Sequence, residues 1–148
     1  MANLTTNLGR EYQGPVTKSR YEVAANLEVF AGQAVIAGTG GIVNMTATAS
    51  GDFIGFAMEY VNNLTNSIPN GGAARAAKAD VAIAGFLYLS IANGAAITYD
   101  DVGLSVYASD GNTFSLTQGT NEMAVGVLVN VDLALGANTG DCLVKFGY

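Results

Sequence analysis

Val81-Ala82-Ile83-Ala84-Gly85-Phe86-Leu87-Tyr88-Leu89-Ser90-Ile91 is the longest apolar run in the chain. Val81, Ile83, Leu87, Leu89 and Ile91 fall in one register of a period-2 pattern, and Ala82, Ala84, Phe86 and Tyr88 fall in the other. Apolar residues in both registers indicate a strand buried on both faces. The run is far shorter than the roughly 20 residues a membrane-spanning helix needs, so the expectation is a core strand and no membrane partner. Alternation recurs on either side. Ile54, Phe56, Met58 and Tyr60 are spaced to share one strand face, as are Val125, Val127, Val129 and Val131. Val144, Phe146 and Tyr148 oppose Leu143 and Lys145 near the end of the chain. Turn residues separate these strands at Gly38-Thr39-Gly40-Gly41, Ser50-Gly51-Asp52, Pro69-Asn70-Gly71-Gly72, Asn93-Gly94 and Asp110-Gly111-Asn112. Short strands punctuated in this way predict an all-β fold, a small antiparallel β-barrel or sandwich. One stretch, Ala73–Ala79, has helical propensity but is too short for a stable helix, and reads as a single turn or an ordered loop.

An internal duplication organises the pattern. Shifted by 71 residues, Gly32–Val61 aligns with Gly103–Asp132 without a gap. Gly32 meets Gly103, Val35 meets Val106, Ala37 meets Ala108, Gly40 meets Gly111, Thr46 meets Thr117 and Gly55 meets Gly126. Apolar positions correspond too, among them Ile54 with Val125 and Phe56 with Val127. A glycine inside a strand marks a bulge, a bend or a close backbone approach. The reading is two similar β units, near 32–61 and 103–132, each followed by a closing strand (Val81–Ile91, then Cys142–Tyr148). Together they would build one closed or nearly closed barrel over residues 21–148, with no exposed sheet edges to aggregate.

Residues 1–20 differ from the rest. They are polar, rich in Asn and Thr, carry four of the eighteen charges and show neither period. A frayed tail and an extended N-terminal arm that orders against a partner both fit, with Tyr12 and Val16 as anchors in the second case. No basic region followed by an apolar stretch opens the chain, so no signal peptide is expected.

Composition removes several function classes. The 148 residues are 50% hydrophobic and 12% charged, with six basic and twelve acidic side chains for a net charge of −6 and a mean hydropathy of +0.32. Nucleic-acid binding needs a basic surface, so no nucleic-acid partner is expected. The chain has no His, no Trp and a single cysteine, Cys142. That excludes a disulfide framework, a Cys/His zinc site and imidazole chemistry. Adjacent Asp100 and Asp101 point apart on an extended backbone and cannot share a proton. Asp110-Gly111-Asn112 lacks the spacing and closing Glu of a calcium loop. Gly38-Thr39-Gly40-Gly41 has no Lys-Ser/Thr after it to make a phosphate cradle. Cys142 reads as an inert buried thiol. Three sequons, at Asn3, Asn44 and Asn63, are of the kind an Asn/Thr-rich chain contains by chance. The expectation is a non-enzymatic protein without cofactor or metal. Its apolar excess would be hidden against copies of itself or another protein.

Asp80–Tyr148 resembles the C-terminal half of small tailed-bacteriophage capsid decoration, or cement, proteins. The resemblance is carried by Gly85–Phe86, by Ile97-Thr98-Tyr99-Asp100-Asp101-Val102-Gly103, by Val106–Asp110 and by Val125–Asp132. Tyr21–Val61 follows the family layout more loosely, through Val23-Ala24-Ala25 and Ala31–Val35. The resemblance implies a β-barrel subunit, often a homotrimer, on the outer surface of a phage capsid, where it bridges neighbouring copies of the major capsid protein. It implies a virion location after synthesis in the host cytoplasm. Members often engage the shell through an extended N-terminal segment, for which Leu4, Leu8, Tyr12 and Val16 are the candidate capsid-binding residues here. The alternative is a carbohydrate- or receptor-binding module of a phage fibre or tail.

Overall fold

The computed structural model describes residues 4–46, 51–66 and 71–147. Asn3, Ser50, Pro69, Asn70 and Tyr148, which figure in the sequence reading, lie outside them. Among the described residues there are eleven strands: β1 (Thr17–Glu22), β2 (Leu27–Val29), β3 (Ala34–Gly38), β4 (Gly41–Asn44), β5 (Phe53–Ala57), β6 (Val61–Asn63), β7 (Lys78–Ala92), β8 (Ser105–Asp110), β9 (Thr113–Ser115), β10 (Met123–Asn130) and β11 (Thr139–Phe146). Two short 3-10 turns, Tyr99–Asp101 and Asp132–Ala134, are the only helical elements among them. Ala73–Ala79 forms turns, with Arg75 at φ +67°, and then enters β7.

The 71-residue repeat is present in space. β3, β4 and β5 map onto β8, β9 and β10, and in each set the first strand pairs antiparallel with the other two. Val35 lies opposite Gly55 and Val106 opposite Gly126, each beside a register shift. The closing strands also correspond, since β5 pairs with the first half of β7 as β10 pairs with β11. The two units do not contribute to a common barrel, however. In the second, β11, β10, β8, β9 and the last part of β7 form a closed five-stranded barrel, because β7 pairs with β11 on one side and, in parallel, with β9 on the other. In the first, β4, β3, β5, the start of β7 and β1 follow the same order, and a lone parallel bridge, Val23 to Ile42, stands where the second barrel has its parallel pair. The physical reason is the length of β7. Its 15 residues serve one unit before Gly85 and the other after it.

The two glycines explain where the simple alternation fails. A Cβ on Gly55 would lie 1.9 Å from the Ala82 carbonyl oxygen, and one on Gly126 2.5 Å from that of Lys145. Only glycine allows so close an approach, and the bulge beside it moves later side chains to the opposite face. Phe56 and Ile54 therefore belong to different cores, while Met58 and Tyr60 are exposed. Val125 and Leu128 point inward and Val127 outward. β7 is two-sided only near its start, where Val81 faces one core and Ala82 the other. Beyond Gly85, Leu87, Leu89 and Ile91 are buried and Phe86 is exposed.

The smaller core (Val23, Val35, Ile42, Ala57, Val81 and neighbours) fills the first unit. The larger fills the second barrel and continues into the seam between the units, where Phe56 packs 6.0 Å from Phe114 and 5.3 Å from Phe146, centroid to centroid.

Candidate functional site

The polar N-terminal segment, in which sequence reasoning placed its candidate residues, is laid along the body. Leu4 N donates to Gln33 Oε1, Leu8 N to the Ala31 carbonyl, and Ala31 N to Asn7 Oδ1. Further on, Tyr88 N donates to the Glu11 carbonyl and Gln13 N to that of Phe86, both at 2.9 Å, so Tyr12 makes an isolated antiparallel bridge to Leu87 on the edge of β7. Two glycines make the seat. At Gly32 (φ +89°) a Cβ would lie 2.4 Å from the Leu8 carbonyl oxygen, and at Gly85 (φ +150°) 2.8 Å from Val16 Cγ1. Both conformations also favour glycine over any other residue.

The four candidate residues divide. Tyr12 and Val16 pack against the larger core, Tyr12 with its ring 6.4 Å from Phe146. Leu4 is half-buried and Leu8 is exposed. Leu8 is thus the most exposed of the four while the segment stays seated.

Arg10 was missed by the sequence reading. Its guanidinium sits over the paired rings of Phe56 and Phe114, 5.7 and 5.4 Å from their centroids. Nε donates to the Gly32 carbonyl at 3.0 Å and Nη2 to Asn112 Oδ1 at 2.7 Å. Burial brings its pKa down to about 10, against the opposing effect of Tyr12. The residue joins one aromatic from each unit through cation–π contact. A lone arginine in an unpatterned polar stretch carries no period to betray this.

Beside Arg10 an open groove of about 480 Å³ is lined by Tyr88, Ser90, Asn112, Thr113 and Asp141. A second, of about 510 Å³, lies against the first unit between Arg20, Arg75 and Lys78 and the Gly38–Gly41 turn.

Asp101 and Asp110 serve turns. Asp101 Oδ2 accepts from Thr98 N at 2.8 Å, fixing the first 3-10 turn. Buried Asp110 closes the β8–β9 hairpin, accepting from Asn112 N and Thr113 Oγ1. Cys142 is buried, and its thiol is pushed up to about 11, first by burial and then by Asp141, Asp101 and Asp132. Among the described residues no three His, Cys, Asp or Glu side chains are grouped to hold a metal ion. Asn63, a sequon residue, is fully buried, with Nδ2 donating to the carbonyls of Ala24 and Ala73. It is closed to modification in the folded chain.

The arrangement is that of a β scaffold with a seated terminal segment. Its architecture has a solved counterpart in a phage capsid. A chain in a structure described as the capsid of Myoviridae phage XM1 superposes with a TM-score of 0.57 at 22% sequence identity, over 99% of this chain and 92% of that one. No family model and no curated protein sequence matches. The likeness shows a common fold and covers the N-terminal segment and both units together.

Proposed function

We propose that this protein is a structural component of a phage virion, a capsid decoration or cement protein that sits on the outer surface of the head and clamps neighbouring major capsid subunits. The observation that carries the reading is the XM1 capsid likeness, which spans nearly all of both chains. The sequence resemblance of Asp80–Tyr148 to decoration proteins is a separate line pointing the same way. In this reading the protein catalyses no reaction and works as a homotrimer. A binder selective for the closed shell stabilises that shell by mass action. Several subunits acting together raise the effective concentration of each contact, so weak single contacts suffice.

The test is to add purified protein to undecorated heads of its phage and melt them. Saturable binding with a rise in shell melting temperature is expected, and heads that neither bind the protein nor gain stability would refute the proposal. The groove beside Arg10, with Tyr88, Asn112 and Asp141 in its wall, favours the second reading, a glycan-binding module. Specific signals on a glycan array that vanish in Asn112→Ala are what that reading requires.

A further inference from the structure

Charge is divided unequally along the chain. Residues 1–79 hold five basic and five acidic side chains, whereas residues 80–148 hold one basic and seven acidic, so the whole net charge of −6 belongs to the second part. The division has a geometry. The β7–β8 and β10–β11 loops meet at one end of the second barrel, laced together by Ile97 N to the Ala137 carbonyl, Gly136 N to that of Ile97 and Gly103 N to that of Leu128. This end presents Tyr99, Val102, Leu104, Leu133 and Leu135, exposed by 42 to 66%. These are five of the ten large apolar residues exposed on the described surface. Asp100, Asp101 and Asp132 lie among them, and neither loop contains a lysine or arginine. Asp101, Asp132 and Asp141 also lie near enough to the Cys142 thiol to oppose its ionisation, after the larger effect of burial.

The opposite character occurs on the first unit. The 510 Å³ groove there has Arg20, Arg75 and Lys78 at its rim and Tyr21, Ile42 and Ile54 in its wall. Lys18 lies two residues from Arg20 on β1, in the same period-2 register. Four of the six cations of the chain are therefore gathered here. Two carboxylates oppose them: Glu22, 3.2 Å from Arg75, and Asp80, 3.5 Å from Arg20. Both arginines are largely exposed, and such pairs hold weakly and can exchange. Lys78 has no ion-pair partner among the described residues.

We infer that the apolar, anionic end of the second barrel docks into the cationic, apolar-walled groove on the first unit of a second copy of this chain. Among the described residues, that groove is complementary to the anionic end in both charge and greasiness. The contact is head-to-tail: one copy gives its end and receives its neighbour's in its groove, so repetition closes a ring or runs on as a filament. Leu133 and Leu135 supply the apolar anchor, and the charges set orientation and salt dependence. No shell takes part, so the inference stands or falls separately from the virion reading.

The experiment is sedimentation equilibrium of the full chain at low and high salt, with thermal melts to show that each variant is folded. Self-association that loosens with salt is expected. Reversing an exposed pair turns an attraction into a repulsion, so Lys78→Glu and Asp100→Lys should each weaken association about tenfold, while the combined variant regains most of the loss. Because Glu22 faces Lys78 across the β1–β7 ladder, Lys18→Glu is the substitute should Lys78→Glu melt early. Leu133→Ser should also weaken association. A single-copy species at every salt and concentration overturns the inference. So does an oligomer indifferent to all these variants, or a charge-swapped pair no better than its parents.

Discussion

Tyr12 separates two roles for the N-terminal segment. Its ring packs against Phe146 and the larger core, and its hydroxyl oxygen is buried with no hydrogen-bond partner. Tyr12→Ala removes the ring and leaves a void over the seam. Truncating a fully buried aromatic costs about 3–5 kcal/mol, and because Tyr12 is only half-buried a smaller cost, about 2–3 kcal/mol, applies. For a chain of this size each kcal/mol moves the melting temperature by about 2–4 °C, so a fall of about 5–10 °C is expected. Tyr12→Phe keeps the ring and deletes an unsatisfied buried oxygen, so it should be neutral or stabilise by up to about 1 kcal/mol. Calorimetric melts of the two variants beside the parent chain decide the matter. If Tyr12→Ala melts with the parent yet loses its hold on phage heads, Tyr12 faces the shell and the N-terminal segment is not seated on the body. The same logic governs truncation. Removing residues 2–9 spares the Tyr12–Leu87 bridge on β7 and should leave a stably folded chain, whereas removing 2–16 strips Tyr12, Val16 and two backbone hydrogen bonds from the second barrel.

The matched bulges should be equally intolerant. Gly55→Ala and Gly126→Ala each force a Cβ onto a neighbouring carbonyl and should cost about 3 kcal/mol, while Gly9→Ala, with nothing within 4 Å, should change stability by no more than about 0.5 kcal/mol in denaturant titrations. Stability should decline between pH 9 and pH 11. The Cys142 thiol ionises near its ordinary value of 9 when unfolded but only near 11 when folded, so its contribution is complete below pH 9 and is lost as the pH climbs through 11. Cys142→Ala should flatten that part of the pH profile, and an unchanged slope would count against the burial of the thiol. Arg10→Lys keeps the charge but loses the planar fork that reaches Gly32 and Asn112 while lying over two rings, so it should lower the melting temperature nearly as far as Arg10→Ala.

The strands of the two units were legible because each repeats the same spacing of apolar residues, turn glycines and one in-strand glycine. What Gly55 and Gly126 do to the faces was not legible. A bulge is written in the backbone approach of another strand, and residues on either side of it alternate as before. β1 was hidden for a different reason. Lys18, Arg20 and Glu22 occupy its outer register, and Ser19 interrupts the inner one, so neither face is apolar throughout. Tyr12 and Val16 were recognisable as anchors by their chemistry, yet nothing local says that the surface they hold is the chain's own. Arg10 became visible only when residues 46 and 104 positions further along the chain, Phe56 and Phe114, closed over it.

The 15-residue β7 runs without interruption through both units, a span of about 50 Å at roughly 3.3 Å per residue. A pull along this strand loads its ladders lengthwise, with many bonds sharing the tension at once instead of parting one by one like a zipper. The two units would then yield together or not at all, so the molecule behaves as a stiff rivet and not as two beads on a string.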